Sequence, residues 1–289
     1  MQVRELTSPP SLGRLYARGA LGMLRSRSRG GGLPEQELLL RDVAIDRERL
    51  AEYVRVCGFP LRDRVPATYP HLLAFPLGIE LMIDPSFPFP PAGLVHIRNT
   101  IVQHRPVTVS DRLTLRAATR NLRSHPKGRQ FDVTAEATAD SAVVWRSAST
   151  YLSRGSSDGE DPAGRSAPEP EAPSDGPPHA EWRAPADTGR RYAAVSGDRN
   201  PIHLNPVTAR AFGFPRQIAH GMWTKARCLA AFEGRLPAAF TLDAAFKRPV
   251  VLPADVAFRS RRTDGGWTFS LRDARRGDPH LVGAISPVA

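Results

Sequence analysis

The sequence predicts an α+β protein made of two related halves, each a central helix packed against an antiparallel sheet. Three observations lead there. A stretch inside the 289 residues, 154–181, is rich in Pro, Gly, Ser and acids and almost devoid of large apolar side chains. It cannot bury enough surface to order itself and reads as a disordered linker between domains. Two pairs of segments match across it: Tyr53-Val-Arg-Val-Cys-Gly58 with Tyr192-Ala-Ala-Val-Ser-Gly197, and Arg105-Pro106-Val107 plus Asp111 with Arg248-Pro249-Val250 plus Asp255. Tyr192 follows Tyr53 by 139 positions and Arg248 follows Arg105 by 143, a nearly constant register that favours tandem duplication over coincidence. Finally, each half runs from a helical apolar period into several alternating strands.

The elements can be justified in chain order. Residues 1–34 form a basic segment with Arg4, Arg14, Arg18, Arg25, Arg27 and Arg29 against one acid, Glu5. These charges break up the apolar core that a secretory signal requires, although the Arg- and Ser-rich composition also fits an organellar transit peptide. The simpler expectation is an amphipathic helix from Leu12 to Leu24, closed by Gly30-Gly31-Gly32, in a cytoplasmic protein. The first half, 35–153, places a helix around Tyr69 to Ile83, which Pro76 should kink or shorten. Alternating runs follow at Val95, Ile97 and Ile101, at Leu113 and Leu115, at Phe131, Val133 and Ala135, and at Val143 and Trp145.

After the linker, the second half, 182–289, repeats the order. Met222, Ala226, Leu229 and Ala230 fall at helical spacing, and Gly234 stands where a C-terminal cap belongs. Strands are expected at Phe240, Leu242, Ala244 and Phe246, at Val256 and Phe258, at Trp267, Phe269 and Leu271, and from Leu281 to Val288.

Composition excludes several classes. With 41% hydrophobic and 24% charged residues the chain is globular in character, and no run of about 18 apolar residues could cross a bilayer as a helix. Cys57 and Cys228 are too few for a disulfide framework or a paired zinc-site spacing, so they read as core thiols in a reducing compartment. The formal charge of +11 is almost entirely arginine, since Lys127, Lys225 and Lys247 are the only lysines. Such an excess could attract nucleic acid, an acidic carrier protein or a phosphorylated cofactor. The arginines are scattered and do not alternate with aromatics, which argues against nucleic acid. No dinucleotide fingerprint, P-loop or clustered His/Cys ligand set is present, so no metal and no cofactor is expected.

The densest chemical signal is Tyr192 to His203, which contains Ser196-Gly197-Asp198-Arg199-Asn200-Pro201-Ile202-His203, followed by Asn205-Pro206. Asn205 can cap a short helix that starts at Pro206 and ends before Gly213. Asp198, Asn200 and His203 lie within six residues in a loop punctuated by Gly and Pro, where all three side chains can turn to one point. A carboxylate and an imidazole held so close can share a water and set the working pKa of His203. The bland alternative is that Asp198 and Asn200 make only Asx turns and that His203 is a hydrogen-bonded loop residue. Ala219-His220-Gly221-Met222 then opens the central helix, so the Gly221 N–H sits at its positive end, where a developing oxyanion would be stabilised.

These residues carry a resemblance. The pattern Tyr192 to His203, followed by Gly213-Phe214-Pro215 and Ala219 to Met222, is similar to the hydratase 2 motif of the MaoC-like (R)-specific enoyl-thioester hydratases and dehydratases. The resemblance implies a double hotdog, two tandem hotdog domains in which a curved antiparallel sheet wraps a central helix. It further implies that Asp198 and His203 are the catalytic pair, that Asn200 orients the loop with Ser196 in support, and that the Gly221 amide binds the thioester carbonyl. Tyr192, Ile218, His220 and Met222 would line the substrate. The implied reaction is reversible syn hydration of a trans-2-enoyl thioester to the (R)-3-hydroxyacyl thioester. The partner would be acyl-CoA or acyl carrier protein, with a homodimer of double hotdogs as a possible assembly.

The first half departs from the pattern. After Gly58 it reads Phe59-Pro60-Leu61-Arg62-Asp63 where the second copy has its Asp-to-His motif. One active site per chain is therefore expected, with His71, His96 and His104 structural or solvated. Two other readings compete. A thioesterase of the same fold would need an acid on the central helix, where only Glu233 is near. A non-catalytic acyl-thioester-binding module would have no use for Asp198, Asn200 and His203.

Overall fold

A computed structural model describes residues 2–23, 31–91, 93–155, 168–173 and 176–288. Arg25, Arg27, Arg29 and half of the expected linker, 156–167 and 174–175, lie outside the described residues. The chain forms two compact units that are discontinuous in sequence. Unit 1 comprises Met1–Ile45, Pro70–Asn99 and Ser110–Pro168; unit 2 comprises Asp46–Tyr69, Thr100–Val109 and Glu169–Ala289. The matched segments Tyr53 to Gly58 and Arg105 to Val107 of the first half therefore belong to the same unit as their counterparts.

Unit 1 pairs its strands in the order β1 (Gln2–Leu6), β2 (Gln36–Ala44), β4 (Arg112–His125), β5 (Gly128–Ala139), β6 (Ala142–Arg154) and β3 (Leu94–Gln103), the last of which ends in unit 2. The β5–β6 hairpin turns through Asp140 and Ser141, both at positive φ, the two-residue geometry that matches strand twist. Helix α3 (Pro70–Met82) packs on β4 and β5 and buries most of its side chains. Gly78 permits the close approach, since a Cβ there would come within 3.1 Å of the Val133 side chain. Pro76 lies inside α3 without ending it. Apolar neighbours such as Leu72, Leu73, Leu77 and Leu81 hold both flanks of the helix in the core, offsetting the lost backbone bond.

The N-terminal segment is built into this unit. Strand β1 pairs in parallel with β2, and α1 (Leu12–Met23) buries Leu15. Glu80 of α3 accepts ion pairs from Arg4 and Arg18. The expected helix is present to Met23; Leu24 and Gly30 lie outside the described residues.

Unit 2 orders its remaining strands β8 (Phe240–Phe246), β11 (Pro279–Ser286), β10 (Gly266–Asp273), β9 (Ala254–Thr263) and β7 (Ala180–Ala184). β7 pairs antiparallel with β9 and so orders the end of the segment expected to be linker. The central helix α6 (Gly221–Ala230) leads into a core where the Phe232 ring meets Phe258, Trp267 and Phe269 at centroid distances of 5.4 to 5.6 Å. Gly234 does not cap α6, which stops at Ala231; it closes the following turn at φ +79. Cys57 and Cys228 are buried free thiols, and burial pushes both well above the usual thiol range. Among the described residues no helix is long and apolar enough to cross a membrane.

Two further helices of unit 2 explain the Tyr-to-Gly match. α2 (Arg47–Cys57) and α4 (Thr188–Ser196) end at Gly58 and Gly197, both at φ +79, with each glycine N–H donating to the carbonyl four residues back, Val54 and Ala193. The left-handed cap requires glycine in both places. Tyr53 and Tyr192 are both buried, with ring centroids 6.3 Å apart. The Arg-Pro-Val match is equally structural. Val65 N–H donates to Val107 O at 2.8 Å and Ala219 N–H to Val250 O at 2.9 Å. These bonds sit beside the bridges Arg64–Thr108 and Ile218–Val251.

Candidate active site

The site is assembled at the C-terminal end of α4. Arg49 of α2 donates to the carbonyls of Val195 and Ser196 at 2.7 and 3.3 Å, placing a cation on the negative end of the helix. Gly197 then reverses the chain, and the buried Ser196 hydroxyl accepts from Asp198 N–H at 3.1 Å. On the other side, α4 lies directly on the backbone of the next turn: a Cβ on Gly189 would stand 2.1 Å from His203 O. No other residue permits that approach.

Both Asx turns exist. Asp198 Oδ1 accepts from Asn200 N–H at 3.2 Å, and Asn200 Oδ1 accepts from Ile202 N–H at 3.4 Å. Asn200 thereby caps a single 3₁₀ turn, Pro201–His203, on which His203 sits. The turns fix the loop while leaving Asp198 Oδ2 and the His203 ring to face inward. Asn205 caps α5 (Pro206–Ala211) by accepting from Val207 N–H at 2.7 Å, as its spacing to Pro206 predicts.

His203 is 8% exposed. Its Nδ1 lies 2.8 Å from Ile218 O; a carbonyl only accepts, so Nδ1 carries the proton and Nε2 presents a lone pair. Burial lowers the His203 pKa against the opposing charge of Asp198, so the ring is a neutral base at neutral pH. Ile218 thus acts through its backbone oxygen. His220, the residue before α6, is 2% exposed and stacks on His203 with centroids 3.7 Å apart. Its Nε2 donates to Asp198 O at 2.9 Å, and Nε2 also lies 3.8 Å from Asp198 Oδ2. Burial, then the neighbouring His203, push its pKa down to about 3, so it stays neutral. The Tyr192 ring packs against His220 at a centroid distance of 4.9 Å, tilted by 50°.

Gly221 begins α6, and His220 makes no side-chain cap, so the first N–H groups of the helix have no intrahelical partner. A Cβ on Gly221 would meet the Phe246 ring at 3.2 Å, so this end of the helix is closely packed. Met222 is buried in the first turn of α6. The structure therefore brings Asp198, His203, His220 and Tyr192 together, with Ser196 and Asn200 shaping the loop and Gly221 at the helix start. Arg49 and Gly189 escape sequence reasoning; only the Tyr53–Tyr192 match hints that α2 and α4 pair.

One carboxylate oxygen of Asp198 and one nitrogen each of His203 and His220 lie within 4.8 Å of one another. The two rings are stacked at an interplanar angle of 27°, so their in-plane lone pairs cannot converge on one ion with tetrahedral geometry. His203 Nδ1 and His220 Nε2 are moreover engaged with carbonyls. The arrangement suits proton transfer through a small molecule held between Asp198 and His203.

Comparisons with known proteins point to one family. The family model described as MaoC like domain matches residues 168–282. The chain is 38% identical over 282 residues to 3-hydroxyacyl-thioester dehydratase X of Mycobacterium tuberculosis, covering 97% of this chain and 99% of the relative. The crystal structure of HtdX from Mycobacterium tuberculosis superposes with a TM-score of 0.77 at 36% identity, covering 87% of this chain and 100% of that one. A MaoC-like dehydratase from Phytophthora capsici shares the fold, with a TM-score of 0.74 at 20% identity over 89% of this chain and 96% of that one.

Proposed function

The chain belongs to the MaoC-like dehydratases, a family of double-hotdog hydro-lyases, and from that premise we propose how its residues perform the reaction. The protein interconverts 3-hydroxyacyl thioesters and enoyl thioesters in fatty-acid metabolism. In the hydration direction, water bound between Asp198 and His203 gives a proton to the neutral Nε2 of His203 as its oxygen adds to C3. The negative charge that develops on the thioester oxygen is held by the Gly221 N–H at the positive end of α6. The proton taken from water is delivered to C2 from the same face, which restores the pair and yields the syn product, the (R)-3-hydroxyacyl thioester. Dehydration retraces these steps. Asp198 orients the water and stabilises the transient imidazolium.

His203 Nε2 is the observation that carries this reading: Ile218 O fixes its tautomer, burial keeps it neutral, and His220 and Asp198 stand beside it. No cofactor is needed beyond the carrier of the acyl group, CoA or acyl carrier protein. The test is loss of the enoyl-thioester absorbance with crotonyl-CoA and with a long-chain trans-2-enoyl-CoA, followed by chiral analysis of the alcohol. Formation of the (S) alcohol, or unchanged turnover in His203→Gln, would overturn the assignment.

A further inference from the structure

We propose that the face formed by α4, α5 and the turn after α5 is the docking surface for an acidic carrier protein that presents the acyl group on a phosphopantetheine arm. The proposal rests on the dehydratase reading above and names the partner of that site. The segment 188–217, which contains the reacting loop, carries five arginines and a single acid, Asp198. Arg190, Arg191, Arg210 and Arg216 are exposed, and among the described residues none of these four makes an ion pair. This contrasts with the arginines elsewhere on the surface, many of which are paired, as in Arg41–Glu5, Arg112–Asp42, Arg146–Glu136 and Arg248–Asp278.

Apolar exposure coincides with the uncompensated charge. Four large hydrophobic side chains stand out as exposed among the described residues, and two of them are here: Val207 at 69% on α5 and Phe212 at 44% on its C-cap. An apolar centre with a cationic rim is the composition of a protein-binding patch. The cations are also spread in a way that suits a protein surface better than one phosphate group. Arg190 reaches Leu204 O before α5, while Arg210 bonds Pro215 O beyond it, so they bracket a helix that is about 9 Å long. His203 lies three residues before α5 begins, so a carrier docked on α5 would have its arm beside Asp198 and His203. Net charge of the opposite sign would speed encounter and fix register.

The experiment compares the same trans-2-enoyl group on acyl carrier protein and on CoA, using full-length wild type, Arg210→Glu/Arg216→Glu and Phe212→Ser. The expected result is at least a tenfold fall in kcat/KM for the carrier-protein substrate, with less than a twofold change for the CoA substrate. The wild-type rate with carrier protein should also fall as salt rises, while the CoA rate does not. An equal fall with both substrates would overturn the proposal and place CoA phosphates on these arginines; no fall with either would overturn it outright. Fluorescence anisotropy of labelled holo-carrier protein decides docking independently of turnover. Binding that is lost in the charge-reversed variant supports the surface even if the chemical assignment fails, and wild-type binding equal to that of the variant refutes it while leaving the dehydratase reading intact.

Discussion

The turn after Gly58 and the turn after Gly197 begin identically and end differently. Both follow a helix closed by a left-handed glycine at φ +79, and both carry a buried tyrosine five residues before it. Beyond the glycine, one chain runs into Asp198, Asn200 and His203, whereas the other buries Phe59 against Tyr53 at 6.3 Å and exposes Leu61. The guanidinium of Arg227 fills the space over Gly58, with Nη1 2.5 Å from where a Cβ would be. The approach to the next helix diverges in the same way. The bonds of Val65 and Ala219 make Pro66 and Ala67 the counterparts of His220 and Gly221. The scaffold that presents a site is thus separable from the chemistry set into it. One copy carries the groups to which we assign proton transfer and the open helix start, and the other has packing in both places.

The sharpest break of this comparison is chemical. Asp198→Asn and His203→Gln should each lower kcat by about 10²- to 10⁴-fold, the range for loss of a positioned acid–base group. Arg62→Ala and Asp63→Ala, in the equivalent turn, should leave kcat within twofold. Steady-state kinetics on the enoyl thioester read both. A comparable loss at Asp63 would mean that the first turn also reaches the reacting atoms.

Next are the two glycines. Alanine at φ +79 costs about 1 to 2 kcal/mol, so Gly58→Ala and Gly197→Ala should both lower Tm in thermal unfolding. Gly58→Ala carries the further cost of displacing Arg227 from its place 4.2 Å over the Trp182 ring. Activity should split in the opposite sense, because Gly197 aims Asp198 whereas Gly58 aims nothing reactive. Folded Gly197→Ala should lose turnover well beyond Gly58→Ala.

This pair also shows what the sequence made legible. The Tyr-to-Gly and Arg-Pro-Val matches identify real structural repeats, and the strands from Phe240 to Ser286 follow their apolar alternation closely because one face is buried. Local capping chemistry at Asn200 and Asn205 is equally readable, since it depends on residues two positions apart. Helix α4 and strands β1, β2 and β7 are not announced by comparable periodicity, and pairing with distant chain makes them; α2, by contrast, carries Leu50, Tyr53, Val54 and Cys57 at helical spacing. The same holds for the site. Asp198 and His203 are only five positions apart in sequence, but the Arg49 cap on α4 spans 146 residues and the seat of Gly189 on His203 depends on tertiary contact alone.

The third difference is electrostatic. His203 and His220 are buried and neutral, where the first copy has no histidine between Gly58 and Tyr69. Their folded pKa values lie below the unfolded value, so the stability they contribute is complete above the unfolded pKa and lost as pH falls. For His220 that window runs from 6.5 down to about 3, at about 1.4 kcal/mol per pH unit. His220→Gln should flatten denaturant stability across that range by up to this slope. Its kcat should fall less than that of His203→Gln, because His220 holds the Asp198 backbone and stacks on the base without meeting substrate protons. An unchanged slope would show that His220 is protonated in the folded protein.

The smallest expected difference separates the other ends of the same two helices. Asp46 caps α2 from extended backbone, accepting from Arg49 N–H at 3.0 Å. Asp187 occupies the same position before α4, but its φ and ψ of −89 and −1 are helical, and its side chain makes no cap bond. Asp46→Ala should therefore cost about 1 kcal/mol. Asp187→Ala should forfeit only the attraction between a carboxylate and the helix N-terminus, about 0.3 to 1 kcal/mol and screened by salt. Denaturant unfolding at two ionic strengths tells them apart: the Asp46 loss persists in high salt because a hydrogen bond is gone, while the Asp187 loss fades. If the Asp46 loss faded as well, its cap would be acting through charge alone, and the two helix starts would be equivalent after all.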